Sequence, residues 1–278
     1  MRAFCERIGF PEEAIAYLES VEPKLHKSAI AAAGLQYLSD DEGHLASLQA
    51  EADRTGLAVE TVTLFMLLDL FRGYLRLRYA EAGLSEALFY DNAEDLTYKL
   101  RECWNFSRIW GNSALHWYRK FFAMTCIKLG RLQYDVSTWE EPVDVPPIQK
   151  GDTVFKIHIP SSGPLTPACV EESFRIAKKH FREQGILKTE YFPVMCASWL
   201  VYPPHHDVFP EGSNLRKFQE MFTVTSQMER NRDFVRVFKQ EYTDDFDSLP
   251  EDTTLQRNFK KFLKAGGKMG LGRGILFR

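Results

Sequence analysis

The sequence predicts an α+β protein: a helical N-terminal half, then a mixed, largely antiparallel sheet with flanking helices. Three observations predict it. Residues 1–130 carry apolar side chains at helical spacing, punctuated by prolines and glycines. At Gly130 the period changes, and Leu132, Tyr134 and Val136 alternate with Arg131, Gln133 and Asp135, as a strand requires. From residue 153 onward, strand and helix patterns are interspersed. The expected domains are therefore 1–130, helical, and 131–278, mixed.

In the helical half, Pro11 opens PEEAIAYLESV with acids in its first turn, and Pro23 interrupts it before KLHKSAIAAAGLQYL. Asp40 and Asp41 precede EGHLASLQAEADRTG, which Gly56 stops. Residues 58–83 form the longest and most apolar helix, expected at the centre of a bundle. Another helix runs from Ser85 through Cys103. A last one is expected over about residues 113–129, carrying Leu115, Trp117, Phe121, Phe122, Met124 and Ile127 and closing at Gly130.

The second half opens with the strand GRLQYDVSTW. Residues 140–152, with three prolines and no periodicity, read as a loop and a plausible seam. In residues 154–159, Phe155, Ile157 and Ile159 alternate with Val154, Lys156 and His158, a half-buried strand. Pro160 to Leu165 is a turn; Thr166 then caps a helix with Pro167 at its first position, running to about Phe181. PVMCASWLVY, 193–202, is a further strand, and PPHHDVFPEGSN is irregular. Ser213 or Asn214 caps NLRKFQEMF. FTVTSQM and DFVRVFKQ read as a hairpin, Thr253 and Thr254 precede a helix, and MGLGRGILFR ends the chain as a strand.

Bulk properties narrow the class. The chain has 278 residues, 45% hydrophobic and 26% charged, typical of a soluble globular protein. The net charge is −3, with basic and acidic residues mixed and no basic block to grip a phosphate backbone, which argues against nucleic acid as a partner. Cys5, Cys103, Cys126, Cys169 and Cys196 are odd in number and far apart, unlike a disulfide framework. With no apolar signal segment near the first residue and no run long enough to span a bilayer, the expected setting is cytoplasmic.

Several motifs are missing: no P-loop, no HExxH, no GxSxG elbow, and no GxGxxG opening a βαβ unit. His205–His206–Asp207 lacks a second cluster at ligand spacing, so no metal is expected. Two strand-to-helix junctions qualify as anion sites, because helix N-termini present backbone N–H groups. One is Ser161, Ser162 and Gly163, before the Thr166 cap. The other is DTTLQR, with Thr253, Thr254, Gln256 and Arg257. His158 ends the strand before the first; it is either a cleft-lining histidine or a base suited to proton transfer near neutrality. The aromatic tract 199–222 is core or the wall of an acyl-chain cleft.

Six blocks carry a resemblance: LGRLQYDV at 129–136, IHIPSSGPLTPACVEESF at 157–174, CASWLVYPP at 196–204, FPEGSNLRKFQEMF at 209–222, LPEDTTLQR at 249–257 and GLGRGILF at 270–277. Together they resemble a family of bacterial two-domain acyltransferases, with a helical N-acyltransferase N-terminal domain and a GNAT-like C-terminal domain. The resemblance implies transfer of an acyl group from acetyl-CoA or a longer acyl-CoA to an amine acceptor by direct attack. By order of elements, FVRVF followed by LPEDTTLQR looks like the family's cofactor strand and helix. That places the pyrophosphate near Thr253, Thr254, Gln256 and Arg257, with the Ser161–Gly163 loop nearer the acceptor. Under the same resemblance His158 is the first choice of base and Glu190 the second, Tyr202 protonates the leaving thiolate, and a backbone N–H near Cys196 to Ser198 holds the oxyanion. Cys196 is either an acyl-enzyme nucleophile or a packed thiol. The family's usual Q/RxxGxG/A signature is absent, which motivates the alternative: a catalytically degenerate GNAT-like module that binds an acyl chain, a peptide or a protein partner. A third reading is a structural partner whose helical half caps an oligomer.

Overall fold

The computed structural model describes residues 1–143 and 145–278. The chain divides into two compact units, Met1–Lys128 and Leu129–Arg278.

The first unit is built from α1 (Arg2–Arg7), α2 (Glu12–Val21), α3 (Lys27–Leu38), α4 (Gly43–Thr55), α5 (Val59–Leu70), α6 (Arg76–Glu81), α7 (Glu86–Ala93), α8 (Asp95–Ser107) and α9 (Arg119–Phe122). α5 and α6 are joined without a break by a wider π turn, Phe71–Leu75, so the apolar stretch from residue 59 to 81 is one helix. Its Val62, Leu64, Met66, Leu67, Phe71 and Leu75 are wholly buried, which makes it the axis of the unit. Ser85 accepts a hydrogen bond from Leu88 N at the start of α7. The helix expected from Ser85 through Cys103 is two, α7 and α8.

The helix expected over 113–129 does not form. A 3₁₀ turn, Leu115–Tyr118, leads into α9, which stops at Phe122; Met124 then takes a left-handed φ of 57°. Cys126–Leu129 is a strand, β1. Leu115 to Phe122 keep helical spacing, but CIKL and LQYDV flank a Gly130–Arg131 turn, which is hairpin chemistry. Gly130 has φ +70° and belongs to that turn, not to a helix cap.

The second unit continues with β2 (Leu132–Thr138), β3 (Thr153–His158), α10 (Pro167–Glu183), β4 (Pro193–Ser198), α11 (Asn214–Glu220), β5 (Thr223–Glu229), α12 (Phe234–Phe238), α13 (Thr254–Lys264) and β6 (Gly270–Phe277). The six strands form one sheet in the order β1-β2-β3-β4-β6-β5. β3 and β4 are parallel, and the pairs β2–β3, β4–β6 and β5–β6 are antiparallel. Two local expectations fail. DFVRVFKQ is not the second arm of a hairpin: its centre is α12, and β5 pairs with β6 instead. Phe234, Val237 and Phe238, all buried, fit helical spacing as well as alternation, and so short a run does not decide between them. Residues 140–152 are no domain seam. They connect two antiparallel neighbours, and Trp139 N–H and Gly151 N–H close the loop on the carbonyls of Asp152 and Trp139.

Both faces of the sheet are covered. On one, Val170, Phe174, Ala177 and Phe181 of α10 form a helical stripe, and Phe181 meets Phe155 at 4.5 Å between ring centres. On the other, Trp139 and Ile148 pack on Val154 and Ile275. The contact of α10 with the sheet is locked by one buried hydroxyl. Ser173 Oγ donates to the Leu129 carbonyl and accepts from Leu132 N–H at 3.1 Å and from the Tyr134 hydroxyl at 2.9 Å. We expect Ser173→Ala to strand those groups and lower stability by about 3 kcal/mol, read as a lower urea midpoint at unchanged slope.

Candidate active site

A parallel pair of strands needs a crossover, and here β3 is followed by a short loop, α10 and the return to β4. That puts the amino end of α10 at the carboxyl ends of β3 and β4, where open sheets with crossovers hold ligands. At the same place the pairing of the two strands stops. Its last pair is Ile157↔Cys196, whereas β4 goes on pairing with β6 through Ala197↔Arg273 and Ser198↔Gly272. The edge of β4 that faces β3 thus has backbone groups beyond Cys196 outside the ladder.

His158, the last residue of β3, stands at this break. Register sets Gln133 opposite His158 and Asp135 opposite Lys156, so Asp135 is the diagonal neighbour of the histidine. Asp135 Oδ2 lies 2.8 Å from His158 Nε2, with the carboxylate side chain 8% exposed and the imidazole 22%. A carboxylate only accepts, so Nε2 carries the proton in this bond.

The loop after His158 is shaped by a residue from the β1–β2 turn. The guanidinium of Arg131 donates to the carbonyls of Pro160, Gly163 and Pro164, each at 3.2 Å. Gly163 takes φ +47°. Thr166 Oγ1 caps α10 by accepting from Cys169 N–H. With these carbonyls gathered on the arginine, Ser161, Ser162 and Gly163 lie beside the positive end of a helix of 17 residues.

The other residues singled out from sequence fall elsewhere. Glu190 precedes β4, so the length of that strand, about 20 Å, separates it from the His158 end; its side chain is fully exposed beside Arg182. Tyr202 follows a 3₁₀ turn, Trp199–Val201, beyond the end of β4 rather than ending the strand as expected. It is buried, with its ring against Gly270, where a Cβ would lie 2.3 Å away. Burial raises its hydroxyl pKa. Thr253 and Gln256 bond each other's backbone N–H in a capping box, and Gln256 also donates to the Val237 carbonyl. Arg257 holds the Glu251 carbonyl and Thr254 Oγ1. FVRVF, expected as the strand before this second junction, is the helix α12.

Asp135 and Arg131 were missed by sequence reasoning, although signals for both were there. Gln133 and Asp135 share one face of β2, and a polar pair on that face of a well-packed strand asks for partners. Arg131 follows the turn glycine, directly before the strand that flanks the loop.

His205 and His206 point opposite ways. His205 is fully buried among the rings of Trp199, Tyr202, Phe209, Phe259 and Phe262, with Nδ1 on the Trp199 carbonyl at 2.8 Å. His206 meets Glu220 and Arg216 at the surface. Among the described residues no cluster of three or more His, Cys, Asp or Glu side chains could hold a metal ion. None of the described helices is long and apolar enough to cross a membrane.

The GNAT-like C-terminal domain family matches residues 126–276, and the chain belongs to that family. No curated protein matches it. Solved structures of the same fold cover 99% of the chain at 18% identity. One is an acyltransferase mutant in complex with octanoyl-CoA, with TM-score 0.76 over 86% of its own length. A second is an acyltransferase in complex with decanoyl-CoA and teicoplanin, at 0.74 over 87%. A third, in complex with decanoyl-CoA, gives 0.68 over 98%. The helical region followed by a GNAT-like domain, expected from the six sequence blocks, is the fold these structures share.

Two titrations follow from burial. The Cys196 thiol is buried and pushed up to about 12, so it stays a neutral thiol at neutral pH. We expect iodoacetamide at pH 8 to spare Cys196 in the folded protein, read by peptide mass mapping. Burial holds His205 down to about 4, against 6.5 for an ordinary histidine. The unfolded chain therefore binds more protons between those values. Stability is complete above pH 6.5 and falls as pH drops toward 4, by up to about 3 kcal/mol. Urea midpoints measured across that window in wild type and His205→Gln should show the slope flattened in the variant.

Proposed function

We propose that the protein is an acyl-CoA-dependent N-acyltransferase in which an amine attacks the thioester directly. The observation that carries the reading is the carboxylate-bonded His158 at the carboxyl end of β3, beside the break in the β3–β4 ladder. Structures of the same fold hold octanoyl-CoA and decanoyl-CoA, which favours an acyl-CoA longer than acetyl-CoA as donor, and one holds teicoplanin beside decanoyl-CoA.

In this reading the pyrophosphate lies on Ser161, Ser162 and Gly163 at the amino end of α10. The pantetheine and thioester enter the break between β3 and β4, and a backbone N–H between Cys196 and Ser198 receives the oxyanion. His158 takes the proton of the amine. The tetrahedral intermediate collapses with loss of the thiolate, which is protonated by the imidazolium or by Tyr202. Thr253, Thr254, Gln256 and Arg257 serve as the cap of α13, and Glu190 has no part in the chemistry. The buried Cys196 is a packing residue, so no acyl-enzyme forms on it.

We expect His158→Ala to lower kcat for amine acylation about a hundredfold while octanoyl-CoA affinity, measured by calorimetry, stays that of wild type. A wild-type protein that binds no octanoyl-CoA at millimolar concentration would falsify the reading.

A further inference from the structure

We propose a second activity for this site: hydrolysis of acyl-CoA to a free carboxylic acid and CoA when no acceptor is bound, with Asp135 as the positioning residue that makes His158 a base for water. The inference rests on the acyl-CoA reading above.

The two nucleophiles, amine and water, need different help. A neutral amine is a good nucleophile, and it gives up a proton to the base only as the tetrahedral intermediate forms. Water keeps its proton until the carbon–oxygen bond forms, so it needs a base in the transition state and a partner for the cation that results. The His158–Asp135 pair supplies both. The 2.8 Å bond places the proton on Nε2, which leaves Nδ1 as the ring's acceptor atom. When Nδ1 takes a proton, the imidazolium is held against a carboxylate that is almost wholly buried, the division of labour of a histidine–aspartate pair in acyl transfer. Aminolysis uses the same pair, but hydrolysis depends on it more, because water is the weaker nucleophile.

In the step, the oxygen of water bonds to the thioester carbonyl carbon as one proton passes to His158 Nδ1. The tetrahedral intermediate collapses, the carbon–sulfur bond breaks with its electron pair going to sulfur, and the imidazolium returns the proton to the thiolate. The second hydrogen of the water stays on the acid. Nothing is oxidised or reduced.

The test follows thiol release from octanoyl-CoA in the absence of acceptor, and hydroxamate formation from the same donor with hydroxylamine, an amine already neutral at pH 7. Wild type should release CoA faster than buffer alone. Asp135→Asn should lower hydrolysis about a thousandfold and hydroxamate formation about tenfold or less. Its octanoyl-CoA Kd and melting temperature should stay near wild type, which a merely structural role for Asp135 would not produce. Asp135→Glu should recover part of the hydrolysis. If Asp135→Asn does not fold, His158→Gln replaces it, and hydrolysis should again fall more than hydroxamate formation. The proposal is overturned if wild type binds octanoyl-CoA without hydrolysing it above the buffer rate, or if the substitution lowers both reactions equally. Failure of wild type to bind octanoyl-CoA is a different result and removes the function on which the proposal stands.

Discussion

The second unit depends on the parallel pairing of β3 with β4. Every other strand pair described in that sheet is antiparallel and could be joined by a turn. This one requires the chain to leave the sheet, cross its face as α10 and return. Three consequences follow. The amino end of α10 sits at the carboxyl end of β3. The apolar stripe of the helix covers Tyr134, Phe155 and Phe192. β4 then becomes a shared strand, parallel to one neighbour and antiparallel to the other. Once β3 ends at His158 and β4 runs on beside β6, a break beside the helix terminus is a product of strand lengths, and no special residue is needed to make it.

Arg131 and Ser173 hold that geometry from opposite sides. Ser173 joins α10 to the β1–β2 turn through one hydroxyl whose single donor and two acceptor positions are all used. Arg131, in the same turn, reaches the other way to three carbonyls of the loop between β3 and α10. The turn at Gly130 is therefore the common anchor of helix and loop. Its glycine is required on two grounds, a φ of +70° and the Cα of Ser173 lying 3.2 Å from where a Cβ would be.

Legibility in the sequence followed the length and chemistry of each signal. The long apolar helix, the Thr166–Pro167 cap, the strand at 132–138 and the final strand were readable because each combines periodicity with a terminal residue of fixed conformational preference. CIKL and FVRVF were not. Each holds only a few residues with apolar side chains consistent with either period, and the sheet, not propensity, decides them. His158 stood out by residue type and by ending a strand. Its partner did not, since diagonal pairing depends on the register of two strands separated by a long loop. Sheet order is likewise invisible in the sequence: FVRVF reads as a strand, and the expectation that the helix at Thr254 follows one rests on that reading.

Gly270, Gly272 and Gly274 read from the sequence as part of a final strand, not a phosphate loop, and they lie inside a central strand where glycine costs stability. Each is there because another group occupies the place of its side chain. A Cβ on Gly270 would meet the ring of Tyr202, one on Gly272 would lie 2.2 Å from the Val201 carbonyl oxygen, and one on Gly274 would press on Phe222. The glycines let the turn after β4 fold flat against β6 instead of continuing as strand. That fold-back carries Tyr202 over Gly270 at the same end of the sheet as His158. A bulkier residue at position 272 would push the turn away and move Tyr202 with it.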